Sequence, residues 1–168
     1  MTEKVSSIEA LPHDLQSWWQ AFKAVHSYTL VRDQRAMQWL FFTGSFPESR
    51  KVLEVRKDST LLGFVSLKLV ELPAYAVVEV ADMALIDASE PVLQASVSEL
   101  AKAAGLWRKN VAYVRTNSFN DTMRKALLRA GFWKTEGRAR YYYLDPSGNL
   151  AADHLYATPI DGDRALFP

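Results

Sequence analysis

Asn120-Asp-Thr-Met-Arg-Lys-Ala-Leu-Leu-Arg-Ala-Gly-Phe132 reads as a complete helix with its punctuation. Ser118 and Asp121 stand as an approximate capping box at its start. Met123, Leu127 and Ala130 fall on one face, and Gly131 supplies the stop. Just upstream, Val111 to Thr116 predicts a strand. Just downstream, Phe132 to Thr135 and Ala139 to Leu144 predict a hairpin that turns at Glu136-Gly137.

Moving further upstream, Ser89 caps a helix that has Glu90 and Pro91 in its first turn, where a negative charge and a missing N–H are both favourable. Leu93, Val97, Leu100 and Ala104 form its apolar stripe, and Gly105 closes it. Ala76 to Ile86 predicts a long strand. Strict alternation puts Val78, Val80, Asp82, Ala84 and Ile86 on one face, and Val77, Glu79, Ala81, Met83 and Leu85 on the other. Val52 to Val55 and Leu61 to Val70 predict a hairpin across Lys57-Asp58-Ser59-Thr60. Two helices precede it. One starts at Pro12 with Leu15, Trp18, Trp19, Phe22 and Val25 inward; the other follows Asp33 and carries Met37, Leu40 and Phe41 as far as Gly44. The order is ααββ-β-α-β-α-ββ, with no strand read ahead of the first helix. It predicts an α/β chain (α+β in its mixed sheet), with a central mixed sheet flanked by helices.

The 168 residues suit a single domain over 1–168, with a core at about 10–145 and a C-terminal tail at 146–168. Five Trp, seven Tyr and eight Phe supply the apolar surface that a disordered chain lacks. The absence of cysteine excludes disulfides, cysteine-ligated zinc and thiol catalysis. No apolar run is long enough to span a bilayer, and no signal-peptide pattern opens the chain, so a cytoplasmic protein without membrane association is expected. The seven glycines are scattered, so no Rossmann or Walker phosphate loop is present.

Net charge is +1, but it is unevenly spread. Lys102 to Arg140 holds ten basic and two acidic residues, a net of +8, which leaves −7 elsewhere. Such a segment concentrates anions, and Arg124, Lys125 and Arg129 share one helix that could sit on phosphates. It is equally a solvated basic face, and no nucleic-acid-binding signature accompanies it. His13, His26 and His154 stand apart and read as surface or packing residues, so no metal is expected. Glu79 and Asp82 are the candidate catalytic pair. Burying a carboxylate in an apolar strand raises its pKa towards the range of a general base, unless an arginine partner holds it ionised.

From Leu61 to Leu144 the order of elements resembles the GCN5-related N-acetyltransferase (GNAT) superfamily, and the 120–132 stretch is similar to that family's N-x-x-A-x-x-x-Y-x-x-x-G-F segment. Met37 to Pro47 also resembles the W…P region of Fem-like transferases. The resemblance implies that acetyl-CoA or another acyl-CoA lies between splayed strands at Ala76–Ile86 and Val111–Thr116. The Leu85 N–H would polarise the thioester carbonyl, the helix start at Ser89 would face the pyrophosphate, and Asn120 and Arg124 would contact the cofactor. Glu79, with Asp82 nearby, would be the base. Two positions depart from the family pattern: Ile86-Asp-Ala-Ser-Glu-Pro91 has no glycine and carries Asp87 and Glu90, and Leu127 replaces the tyrosine that commonly protonates the leaving thiolate.

The expected function is therefore N-acyl transfer from acyl-CoA to a small-molecule or peptide amine, with a homodimer left open. Two alternatives stand beside it. One is a Fem-like transferase fed by aminoacyl-tRNA, the only reading that brings in nucleic acid. The other is a catalytically silent GNAT-like binding or structural domain.

Overall fold

The computed structural model describes residues 3–26, 31–44, 47–87, 89–105, 107, 110–116, 121–129 and 131–134. Five strands form one sheet in the order β1 (Glu3–Ile8), β2 (Arg50–Lys57), β3 (Thr60–Glu71), β4 (Ala76–Leu85) and β5 (Val111–Arg115). The first four are antiparallel neighbours, and β5 joins β4 in parallel through the crossover helix α3 (Glu90–Gly105). This mixed sheet flanked by helices is the architecture expected from the sequence. The strand β1 is an addition. It pairs along β2 from Glu3↔Lys57 to Ile8↔Val52.

Helices cover both faces. On one, α3 and α4 (Asp121–Arg129) bring Val92, Leu93, Val97, Leu100, Ala126 and Leu127 onto Leu53, Val55, Val65, Leu67, Val78, Val80, Met83 and Leu85. On the other, α1 (Leu15–Val25) and α2 (Gln34–Gln38) bring Leu15, Trp18, Trp19, Phe22 and Met37 onto Val52, Leu61, Phe64, Ala81 and Ala84. The apolar stripe of α1 reaches the sheet as its spacing predicts, except that Val25 is exposed. Asp33 caps α2 by accepting from the Ala36 N–H at 2.9 Å. The helix expected to run on to Gly44 instead opens into a π-helical turn at Trp39–Thr43, closed by Gly44 N–H to the Trp39 carbonyl at 2.7 Å. Phe132–Lys134 are irregular rather than a strand, and the rest of the expected last hairpin and the tail lie outside the described residues.

Two irregularities shape the centre. Between β2 and β3, Val55 faces Gly63 and Arg56 faces Leu61, so Leu62 is an extra residue. Its carbonyl accepts from the Trp18 indole N–H at 3.0 Å and from the Ile86 N–H at 2.9 Å. Between β3 and β4, Leu67 faces Val80 and Ser66 faces Asp82, so Ala81 is extra. An inserted residue resets strand alternation. The α3-facing side chains of β4 are accordingly Val78 and Val80 before it, but Met83 and Leu85 after it.

Gly63 sits where β3 and β4 approach most closely. With φ at +156°, a Cβ added there would lie 1.9 Å from the Ala84 carbonyl oxygen, a backbone atom that cannot swing aside. Gly63→Ala is expected to cost about 2–3 kcal/mol of folding free energy through this overlap, measured as a lower denaturation midpoint with an unchanged slope.

Candidate active site

The parallel ladder between β4 and β5 runs from Ala76↔Val111 to Glu79↔Arg115 and, among the described residues, stops there. Among the described residues, strand β4 continues to Leu85 with β3 as its neighbour on one side and no strand paired on the other. Because the Ile86 N–H points to Leu62 on β3, alternation turns the N–H groups of Leu85 and Met83 away from β3. Among the described residues, β4 therefore extends past its last pairing with β5, at the strand pair where the family resemblance implies a cleft.

Glu79 stands at the last position of β4 that pairs with β5 among the described residues. Its Oε2 accepts from Arg115 on β5 at 3.3 Å, and its side chain is 17% exposed against 51% for the arginine. Cross-strand register sets Arg50, Lys68, Glu79 and Arg115 side by side across four strands, three cations around one carboxylate. Burial pushes the Lys68 ammonium below the ordinary lysine range; Arg50 and Arg115 add to that depression, and Glu79 opposes it.

Asp82 is placed differently from the alternation read in the sequence. Because of the extra residue Ala81, it does not share a face with Val78 and Val80. Ser66 and Lys68 lie on one face of β3 and stand opposite Asp82 and Glu79, so the two carboxylates share the face that carries α1. Asp82 is 1% exposed, and both its oxygens are engaged by Arg32, with Nε to Oδ2 at 3.1 Å and the second contact, to Oδ1, at 3.3 Å. Arg32 is equally buried, and its guanidinium lies 5.9 Å from the centre of the Phe22 ring. The partner of Asp82 thus comes from the segment before α2, not from the basic stretch after Lys102.

The expected site residues do not converge on one point. Six residues of strand separate Glu79 from Leu85, about 20 Å. Met83, whose N–H faces the same edge, is only about 13 Å from Glu79, a distance that a glutamate side chain and two reacting atoms can span. Ser89 lies beyond the end of β4, and its N–H is donated to Asp87 Oδ1 at 2.8 Å. Arg124 is exposed on α4, and Asn120 lies outside the described residues. Leu127 is buried against α3 and contributes packing. Among the described residues three cations of the basic segment are held by acids, Lys102 by Glu99, Arg115 by Glu79 and Arg129 by Glu90. Among the described residues no cluster of His, Asp and Glu could hold a metal ion, and no helix is long and apolar enough to cross a membrane.

His26 reaches the site without any motif to announce it. It is the C-cap of α1, it packs on Phe22 at 4.4 Å between ring centres, and its Nε2 lies 3.1 Å from the Leu85 carbonyl. A carbonyl only accepts, so Nε2 carries the proton in this contact. Burial lowers the His26 pKa, the Leu85 contact opposes that shift, and the nearby Arg32 charge adds to it.

No family model and no curated protein matches the sequence. Solved structures do share its arrangement. A ribosomal-protein-alanine N-acetyltransferase from Brucella melitensis superposes over 85% of this chain and 100% of its own, with a TM-score of 0.59 at 13% identity. An aminoglycoside acetyltransferase from an uncultured soil metagenomic sample covers 84% of this chain and 95% of its own, at a TM-score of 0.58 and 12% identity. An acetyltransferase from Trypanosoma brucei covers 84% and 100%, with a TM-score of 0.54 and 14% identity. At such identities the likeness is one of fold.

Two measurements check this geometry. Arg32→Met strands the Asp82 carboxylate and is expected to cost about 3–5 kcal/mol, while Arg32→Met combined with Asp82→Val recovers most of it. For His26 the folded-state pKa lies below the unfolded value of 6.5, so the unfolded chain binds the proton first as pH falls. Stability is therefore expected to be full above pH 6.5 and to drop on acidification below it. His26→Gln should remove that component from melting curves recorded between pH 7.5 and 5.5.

Proposed function

From a chain with the fold of the GCN5-related N-acetyltransferases, we propose an N-acyltransferase that moves an acyl group from an acyl-CoA-type thioester to the amine of a small molecule or peptide. The observation that carries this reading is the end, among the described residues, of β4–β5 pairing at Glu79↔Arg115 while β4 runs on to Leu85, beside which a thioester arm would lie. The bound thioester would supply the activated carbonyl.

The chain's own residues do the rest. Glu79, held by Arg115 at the mouth of the cleft, accepts a proton from the acceptor nitrogen, because only the neutral amine can attack. Backbone N–H groups on the open edge face the negative charge that develops on the carbonyl oxygen. Distance along the strand favours Met83 for that contact, with Leu85 N–H holding the arm beyond it. Asp82, locked to Arg32, is a positioning residue that fixes the strand between these two ends. Leu127 offers no proton at the leaving sulfur, which leaves that proton to solvent. Arg124 and Asn120 would add the remaining donor contacts that the family resemblance implies.

Engagement of Arg115 and Arg129 by carboxylates weakens the aminoacyl-tRNA alternative, since those cations are already neutralised. The silent-domain alternative draws on Leu127 and on the carboxylates before α3.

Titration with acetyl-CoA is expected to raise thermal stability by about 2.7 kcal/mol at a hundredfold excess over Kd. Glu79→Gln should lower turnover about 100-fold while retaining that shift. A shift with RNA and none with millimolar acetyl-CoA favours the aminoacyl-tRNA reading; no shift with either favours the silent domain.

A further inference from the structure

The turn from β4 into α3 is built against a diphosphate. A helix start attracts anions through the free N–H groups of its N-cap and first three residues, here Ser89, Glu90, Pro91 and Val92. Two of these four donors are gone. The Ser89 N–H is spent on the Asp87 carboxylate at 2.8 Å, and Pro91 has none. Two carboxylates stand in the same place. Glu90 is bound by Arg129 from α4 and by the Gln94 side-chain amide at 3.3 Å, so the nearest arginine on α4 is already committed to it. No glycine between Ile86 and Pro91 lets a bulky anion come close to the backbone. On β4 itself, Met83 and Leu85 turn their N–H groups away from β3, although His26 already donates to the Leu85 carbonyl on that side.

We propose that this cleft takes its acyl donor by the pantetheine-type arm alone, so that its donors are thioesters whose binding gains nothing from a diphosphate at α3. Asp87 and Glu90 are the residues that set this preference. The inference rests on the N-acyltransferase reading, and it narrows the donor rather than the acceptor.

Calorimetric titration of the full chain with acetyl-CoA and with S-acetylpantetheine tests it. The two dissociation constants are expected to agree within about threefold. In the Asp87→Asn/Glu90→Gln variant, acetyl-CoA is expected to tighten about three- to tenfold while S-acetylpantetheine stays in place, because only the nucleotide end meets the altered charges. If acetyl-CoA binds the unaltered chain more than threefold tighter, or the variant leaves its affinity unmoved, this inference fails and the transferase reading survives. If neither compound binds at millimolar concentration, both fall.

Discussion

The carbonyl of Leu62 accepts two hydrogen bonds, from the Trp18 indole and from the Ile86 amide, and three elements are tied together there. A buried indole N–H needs a partner, and an inserted residue in β3 supplies one by turning its carbonyl away from β2. The same oxygen fixes the end of β4 in register, which decides which of its amides face outward. Trp18 meanwhile packs edge-on against Phe64 at 5.0 Å, so the anchor is apolar as well as polar. Leu62 thus sets the register at the end of β4, where the strand passes into the turn before α3.

Charge is distributed on the α1 side of the sheet in a manner that binds structure to chemistry. Arg50 and Lys68 are both buried, and burial depresses the pKa of each. Glu79 is the one anion in their row and stands between Lys68 and Arg115. Its charge therefore has two uses: it offsets neighbouring cations in the resting protein, and it is available to a proton in the proposed reaction. These uses compete, and the partial exposure of Arg115 tempers the competition because solvent screens that contact.

The helices could be read from the sequence because their apolar residues repeat at helical spacing and their ends carry Ser, Asp, Pro or Gly. The β2–β3 hairpin was equally legible, with Asp58 taking the left-handed conformation (φ 54°) that its turn demands. Strand β1 was not, because only Val5 and Ile8 in Glu3–Ile8 are apolar and an edge strand needs little more. The face of Asp82 was misread for a sharper reason. Alternation carries no sign of an inserted residue, and Ala81 is small enough to pass unnoticed. Glu79 was legible as a carboxylate in an apolar strand. Its place at the parting of β4 and β5 was carried by the family resemblance, and no spacing rule could have brought His26 to Leu85 across 59 residues.

One feature of β4 bears on how the molecule breathes. Among the described residues its last six have a paired strand on one side only, so successive amides alternate between pointing at β3 and pointing away from it. Those of Ala84 and Ile86 lie in the sheet, while those of Met83 and Leu85 face out. The inward protons wait for β3 and β4 to separate, whereas the outward ones are kept from solvent by packing, since Met83 and Leu85 are 2% and 1% exposed. Amide exchange along this stretch is thus slowed on both sides for different reasons, a hydrogen bond inward and close packing outward.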